Sequence, residues 1–255
     1  MAARERNDWP RRLWVVRHGE SAGNVAREIA ESGGSDLIEV ETRDADTPLS
    51  ELGHRQSAAL AQWFAVMPPE ARPTVLYVSP FVRARQTAAH IAAALDLPDA
   101  DIVFDERLRE REFGVLDMHT RHGIQARFPE LAEQRARVGK FYFRPPGGES
   151  WCDVILRLRS VVDLLRRDHV EDRVLVVAHQ VLVNCARYLL EYLDEQTVLA
   201  MDHAADIANC AVTEYMCVTR EGTARLDLVR SNYVLPLLAA GETVTHAADV
   251  PAGPR

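Results

Sequence analysis

Imidazole and guanidinium side chains follow three apolar runs of this sequence. His18 comes just after residues 13–16, Arg83 shortly after residues 75–78, and His179 directly after residues 174–178. Guanidinium groups bind phosphate oxygens, and a neutral imidazole is a nucleophile near pH 7. Arginines beside an imidazole also disfavour its protonated form. These side chains therefore suit the binding of a phosphate and nucleophilic attack on it.

The apolar runs predict the strands that must position these side chains. Each is followed by a segment able to start a helix, and residues 174–178 are continuous and β-branched, as in a central parallel strand. Open α/β sheets bind ligands at the carboxyl ends of their strands. Residues 211–218 and 226–229 predict a hairpin at a sheet edge, turning at 221–222. We expect an α/β fold, a three-layer α/β/α sandwich with a mostly parallel central sheet.

Several stretches carry a resemblance to a known family. Arg17-His18-Gly19-Glu20, with Asn24 six residues after the histidine, resembles the histidine phosphatase superfamily, which includes the phosphoglycerate mutases. Four more stretches are similar to it, at residues 48–56, 79–88, 108–114 and 146–150. One short motif is weak evidence, but order, spacing and flanking residues match together. The resemblance implies a phosphoglycerate mutase-like fold.

The resemblance also implies roles for particular residues. His18 would be the nucleophile that accepts a phosphoryl group, and Glu110, not Glu112, would donate the proton to the leaving group. The phosphate-binding residues would be Arg17, His18, Asn24, Arg83 and His179. We also expect Ser21 and Gln180 to contact the substrate. Arginine side chains fixed around the phosphate would stabilise its charge, as Mg²⁺ does in other phosphoryl-transfer enzymes. We therefore expect neither a metal nor a cofactor.

Two points of local geometry follow from the positions of these residues. Adjacent side chains on a strand point to opposite faces, so Arg17 and His18 reach one pocket only if the strand ends between them. Gly19 could then turn the chain by adopting a backbone angle that other residues avoid. Arg85 would point about 200° away from Arg83 on a helix, so we interpret it as a solvated side chain.

A phosphatase is favoured over a mutase by what the chain lacks. A mutase must exclude water and hold a carboxylate, which requires further cations. Residues 25–46 lack the Trp- and Asn-rich segment of phosphoglycerate mutases, and Arg135 and Arg137 are not an adjacent pair. His179-Gln180 resembles the bisphosphatase domain that acts on fructose 2,6-bisphosphate, although Gln180 could equally satisfy its own backbone. A mutase-type phosphotransferase and a weakly catalytic phospho-ligand binding or regulatory module are the alternatives.

Composition limits the organisation of the chain and its partners. The 255 residues, 47% hydrophobic, suit a single domain over residues 1–255 with a cap-like insertion at about 115–146 and a flexible tail at about 239–255. With 38 acidic and 30 basic side chains, a net charge of −8 argues against nucleic acid and anionic membrane as partners. We expect a small phosphorylated substrate and inorganic phosphate as product. An edge strand near the carboxyl terminus could pair two subunits into a homodimer.

The expected compartment follows from two further features. No apolar run approaches the roughly 20 residues that span a bilayer, and the arginine-rich amino terminus lacks the apolar core of a signal peptide. The four cysteines are widely spaced and suggest neither a zinc site nor a redox pair. We therefore predict a cytoplasmic protein with free thiols.

Overall fold

The computed structural model describes residues 8–246, and its strands form one mixed sheet. The strands are β1 (Arg12–Arg17), β2 (Val75–Val78), β3 (Ile102–Phe104), β4 (Arg173–Ala178), β5 (Val212–Arg220) and β6 (Thr223–Tyr233). Their order across the sheet is β3-β2-β4-β1-β5-β6. The first four are parallel, while β5 and β6 are antiparallel to their neighbours. The predicted mostly parallel sheet is confirmed.

Helices cover both faces of this sheet. They are α1 (Ala22–Ser32), α2 (Glu51–Ala65), α3 (Val82–Leu95), α4 (Arg121–Arg127), α5 (Pro129–Val138), α6 (Trp151–Asp168), α7 (Gln180–Leu190), α8 (Glu195–Ala204) and α9 (Leu235–Ala239). In β1, Leu13 and Val15 pack in a cluster with α6 and α7, while Trp14 and Val16 pack in another with α2 and α3. Because both faces are buried there, the central strands β1, β2 and β4 are runs of apolar residues. No helix within residues 8–246 is long and apolar enough to cross a membrane.

The carboxyl ends of three neighbouring strands meet at one edge of the sheet. Arg17 is in register with Ala178 between β1 and β4, and Val78 with Val177 between β2 and β4. The His18 amide completes this ladder by donating to the Ala178 carbonyl. This register places the residues that follow β1, β2 and β4 next to one another.

The insertion at residues 115–146 contains two short helices where the sequence predicts one over 124–138. Phe128, with φ −133° and ψ 52°, separates α4 from α5, and Pro129 occupies the first turn of α5. Proline lacks an N–H and disfavours helical backbone at the residue before it. The break therefore falls where the proline dictates.

The carboxyl-terminal part of the described chain differs from the predicted flexible tail. The Gln56 side chain donates hydrogen bonds to the Thr243 carbonyl and the Thr245 hydroxyl, both at 2.9 Å. Residues 239–246 are thus held against α2, and the tail prediction is wrong for them, while residues 247–255 lie outside the described part. The predicted hairpin is present, with Glu221 and Gly222 at φ 52° and 76° in its turn.

Candidate active site

His18 lies directly after β1 and is buried. Its Nδ1 is 2.6 Å from the Gly19 carbonyl, which can only accept a hydrogen bond, so Nδ1 carries the proton. Nε2 therefore keeps its lone pair, and Arg83 Nε donates to it at 3.2 Å. Burial, then the charges of Arg83 and Arg17, holds the pKa of His18 well below its ordinary 6.5. The imidazole is neutral at pH 7, and its basic nitrogen, Nε2, faces Arg83.

Arg17 and His18 enter the same pocket because β1 ends at Arg17, as the alternation of side chains along a strand requires. The reason predicted for Gly19 is wrong, since its φ is not in the left-handed range. A Cβ on Gly19 would lie 2.6 Å from the carbonyl oxygen of Gly53 in α2, closer than such atoms approach. The glycine is needed because the backbone of this turn packs directly against α2.

Gly53 has the same kind of role on the opposite side of this contact. A Cβ there would stand 1.9 Å from the Glu20 carbonyl oxygen. This close approach explains why a glycine follows Pro48-Leu49-Ser50, where Ser50 Oγ caps α2 by accepting from the Gly53 amide at 3.0 Å. Two glycines thus let the first turn of α2 support the turn after β1.

Hydrogen bonds to Gln180 and Ile207 hold the Arg17 side chain in place. Its Nη1 donates to Gln180 Oε1 at 2.8 Å and to the Ile207 carbonyl, and Gln180 Nε2 donates to Asp206 Oδ1 at 3.1 Å. Burial lowers the pKa of Arg17 from its ordinary value to about 10, against the opposing charges of Glu110 and Asp206, so it stays cationic at pH 7. Orientation of Arg17 by Gln180 is a role that sequence reasoning missed.

His179 follows β4 at the start of α7, is fully buried, and lies beside His18 with ring centroids 5.1 Å apart. Its Nε2 is 2.7 Å from Ser79 Oγ. Its Nδ1 has no hydrogen-bond partner among the described residues and faces Glu110 Oε2 at 3.8 Å. Burial first, then Arg83 and His18, holds its pKa well below 6.5. One ring nitrogen is thus fixed while the other faces a carboxylate.

The residue types of Ser79-Pro80 predict a serine cap followed by a proline in the first turn of a helix, but the structure differs. Helix α3 begins at Val82, and its N-cap residue, Phe81, makes no side-chain cap. Ser79 Oγ instead contacts His179 and accepts from the Phe81 amide at 3.3 Å. A serine before proline has the residue types of a cap, so only the neighbouring strand reveals what its hydroxyl contacts.

Arg83 is buried in the first turn of α3 and uses all three guanidinium nitrogens. Besides the bond to His18, Nη1 donates to the Asp44 carbonyl at 2.5 Å and Nη2 to Asp44 Oδ2 at 3.1 Å. Asp44 was not foreseen, because residues 25–46 show little apolar pattern. Arg85 is exposed and stacks on Phe104 at 5.2 Å, as expected for a side chain directed away from the pocket.

Asn24 and Ser21 form the capping box of α1. The Ser21 hydroxyl accepts from the Asn24 amide, and Asn24 Oδ1 accepts from the Ser21 amide, both at 3.1 Å. Asn209 Nδ2 also donates to Asn24 Oδ1 at 3.3 Å. With its oxygen occupied, the donor end of the Asn24 amide is what a ligand would meet.

One open pocket, about 640 Å³ including its mouth, gathers the predicted site residues. Those lining it are Arg17, His18, Ser21, Asn24, Arg83, Glu110 and Gln180. His179 lies beneath, against His18 and Glu110. Glu112, the alternative acid, is exposed and lines a neighbouring cavity, where its Oε1 accepts from the Gly114 amide. All eight residues singled out from the sequence therefore lie in or against one pocket.

Comparison with known proteins agrees with this arrangement. The sequence model of the histidine phosphatase superfamily (branch 1) matches residues 13–230. A 6-phosphofructo-2-kinase/fructose-2,6-bisphosphatase of Caenorhabditis elegans is 34% identical over 176 residues, which cover 69% of this chain and 33% of that protein. The chain thus spans about a third of the length of the first curated relatives it matches.

Two further relatives match over nearly their whole length. A probable phosphoglycerate mutase of Photorhabdus laumondii is 28% identical, with 93% of each chain covered. The solved structure of a mycobacterial glucosyl-3-phosphoglycerate phosphatase with VO3 is 28% identical, with a TM-score of 0.67 over 88% of this chain and 99% of that one. The chain belongs to the histidine phosphatase superfamily, whose members are phosphatases and mutases.

Proposed function

We propose that this chain hydrolyses phosphomonoesters through a phosphohistidine at His18. The observation that carries the proposal is the fixed tautomer of His18, whose protonated Nδ1 is bound to the Gly19 carbonyl while Nε2 keeps a lone pair. A nucleophile needs that lone pair free of a proton, and the lowered pKa of His18 keeps it so at pH 7. The pocket lies on the Nε2 side of the ring, beside Arg83.

In the first step, Nε2 of His18 attacks phosphorus and the bond from phosphorus to the leaving oxygen breaks. Arg17, Arg83, His179 and the Asn24 amide contact the other phosphate oxygens, whose charge they stabilise in the transition state. Glu110 supplies a proton to the leaving oxygen, so the product departs as an alcohol. Arg83 makes these contacts by exchanging acceptors on Asp44 and His18 for phosphate oxygens.

In the second step, the Glu110 carboxylate takes a proton from water as the water oxygen attacks phosphorus. The phosphorus–nitrogen bond breaks, His18 regains its lone pair, and inorganic phosphate leaves. Both steps use only the side chains of the pocket, so we propose an enzyme that needs neither metal nor cofactor.

The proposed substrates are small phosphorylated sugars or related metabolites. Relatives carry the names of a fructose-2,6-bisphosphatase and of a glucosyl-3-phosphoglycerate phosphatase, which supports a polyol ester. The insertion at 115–146 and the segment at 25–46 border the pocket through Asp117, Met118, Ile38 and Asp44, and we propose that they select the leaving group.

The test is turnover of p-nitrophenyl phosphate by the wild type and by His18→Asn, with His203→Gln, an exposed histidine of α8, as the control. We expect His18→Asn to lose at least about a thousandfold in kcat, because no other group takes over a missing nucleophile. A quenched wild-type reaction should contain protein-bound phosphate that is labile in acid and stable in base.

Three results would contradict the proposal. The first is a folded His18→Asn variant with near wild-type turnover. The second is isomerisation of 3-phosphoglycerate with its bisphosphate primer at a rate well above hydrolysis, which would make the chain a mutase. The third is unchanged ester in every assay, which would favour a binding module.

A further inference from the structure

The two ends of the candidate pocket carry opposite charge. Its base holds the guanidinium groups of Arg17 and Arg83 around His18. Its mouth is bordered by the carboxylates of Asp44, in a 3₁₀ turn at residues 44–46, and Asp117, just after a 3₁₀ turn at residues 114–116. The phosphate of a bound ester would lie at the base, so its leaving group would face these two carboxylates.

Both carboxylates line the same pocket. Asp44 pairs with Arg83 at 3.1 Å, a contact that the proposed binding of phosphate by Arg83 would release, and Asp117 Oδ1 accepts from the Met118 amide at 2.9 Å. Burial raises the pKa of Asp117, and the negative charge of Asp44 raises it further. Two like charges that line one partly buried pocket repel each other in this way. The mouth is therefore an anionic region rather than two isolated surface acids.

The cations around the mouth are already engaged by the protein. Arg27 lines the same pocket, and its charge lowers the pKa of Asp117, so these two partly neutralise each other. In the adjoining cavity, Arg43 pairs with Asp46 at 2.6 Å. Arg111 there donates from Nε to the Glu149 carbonyl at 2.7 Å and stacks over Phe113.

The adjoining cavity extends the anionic region outward. It shares Asp44, Phe113, Asp117 and Met118 with the pocket. Glu41 and Glu112 also line it, so four carboxylates face two guanidinium groups there. A leaving group that extends from the pocket into this cavity meets net negative charge along its path.

We propose that Asp44 and Asp117 are specificity-determining residues that select esters whose leaving group carries hydroxyl groups or a positive charge and no second anion. The inference rests on the proposed function, because the phosphate must bind at His18. Carboxylates accept hydrogen bonds from sugar hydroxyls, whereas a carboxylate or a second phosphate at that distance is repelled. Sugar monophosphates are then preferred over bisphosphates and phosphoglycerates.

The experiment compares esters that differ only in one leaving-group charge. Glycerol 3-phosphate and 3-phosphoglycerate differ by CH₂OH against carboxylate, and phosphoethanolamine and phosphoglycolate differ by ammonium against carboxylate. We expect kcat/KM to favour the uncharged or cationic member of each pair by about tenfold or more, since each carboxylate contributes on the order of a few-fold at this range.

The double variant Asp44→Asn/Asp117→Asn should reduce each kcat/KM ratio at least about threefold. Taking the ratio removes any change in phosphate binding through Arg83, because both esters of a pair carry the same phosphate. Asp46→Asn is the matched control, since Asp46 lies in the same turn, pairs with Arg43 and does not line the pocket. It should leave both ratios unchanged.

Raising the salt concentration of the wild-type assay from 0.05 to 0.5 M, chosen as about one tenfold step, gives a second readout that needs no variant. The ratios should fall as the carboxylates are screened. Ratios near one, ratios that favour the anionic ester, or ratios that neither salt nor the double variant changes would overturn the inference while leaving the proposed function intact. Absence of turnover of all four esters would contradict the proposed function and the inference with it.

Discussion

The base and the mouth of the pocket are built from different kinds of structure. At the base, Arg17, His18, Arg83 and His179 are at most 5% exposed and follow the register of β1 and β4 or the first turn of α3. At the mouth, the Asp44 side chain is 41% exposed and lies in an irregular segment. One end is fixed by the sheet, the other by turns.

This difference matches the two tasks that the pocket has to perform. Cations stabilise a developing phosphoryl charge best when they are desolvated and already in position, which buried strand ends provide. Selection of a leaving group needs only side chains of the appropriate charge near the entrance. Turns can carry such side chains, and substitutions in a turn do not disturb the sheet. Substitutions at the base should therefore lower kcat/KM for all esters alike, whereas substitutions at the mouth should change which esters are preferred.

Replacing an arginine at the base gives the largest effect that separates the two ends. We expect Arg83→Ala to lower kcat/KM by about a hundred- to a thousandfold, because it removes a preorganised donor to the phosphate. Every ester should lose by a similar factor. Arg85→Ala, two residues on and exposed, is the matched control and should stay close to wild type.

Two other results would show that the base and the mouth do not have separate tasks. If Arg83→Ala lowered kcat/KM only for esters with an anionic leaving group, Arg83 would belong functionally to the mouth, with Asp44 as its permanent partner. If Arg85→Ala lost as much activity, the assignment of one arginine of this helix to the phosphate would be wrong.

The base was largely predictable from the sequence, and the reason is physical. Continuous apolar runs identify strands buried on both faces, and parallel strands bring their carboxyl ends to one edge. The polar residues that follow those runs, His18 and His179, must then be neighbours. The need to end β1 at Arg17 followed from the alternation of side chains alone.

The supporting residues were not predictable in the same way. Asp44 lies in a segment without periodicity, and contacts between such turns and the helices depend on packing across long sequence separations. The sequence suggests a helix cap for Ser79 and a substrate or backbone contact for Gln180, whereas they bond His179 and Arg17. A side chain able to bond its own backbone can equally bond another element. The prediction that the turn after His18 needs Gly19 was correct, but the reason is its close packing against α2, which requires the position of α2 to be known.

Replacing Ser79, which contacts His179 at the base, should have a smaller effect than replacing Arg83. Ser79→Ala removes the hydroxyl that lies 2.7 Å from His179 Nε2, so the ring loses its orientation while its chemistry remains. We expect kcat to fall by about tenfold with little change in the ester ratios, and the free energy of unfolding to fall by about 1–3 kcal/mol, since a buried nitrogen loses its partner.

The control for this change is Ser57→Ala, another buried serine, whose hydroxyl donates to the Gly53 carbonyl at 2.7 Å. It should lose stability to a similar extent yet keep more activity than Ser79→Ala, as judged from kcat and chemical denaturation. Equal loss of kcat in the two variants would mean that Ser79 acts through stability alone and does not position His179.

The smallest effect concerns stability, and here the two ends should respond to acid with opposite sign. The pKa of His179 in the folded chain lies well below its ordinary value of 6.5. Between these two values the unfolded chain binds a proton that the folded chain does not, so the free energy of unfolding decreases as the pH falls below 6.5. The slope is about 1.4 kcal/mol per pH unit for one such histidine. His179→Gln should remove that share of the slope.

Asp117 has a raised pKa instead, with an ordinary value of 3.8. Just above pH 3.8 the folded chain keeps a proton that the unfolded chain has lost, so this carboxyl contributes stability that disappears as the pH rises through its folded pKa. Below about pH 6.5, the free energy of unfolding should therefore decrease more steeply with falling pH in Asp117→Asn and less steeply in His179→Gln. Urea denaturation between about pH 3.5 and about pH 8, a range that contains both ordinary pKa values, measures both slopes. Slopes that change in the same direction would mean that base and mouth are not electrostatically distinct.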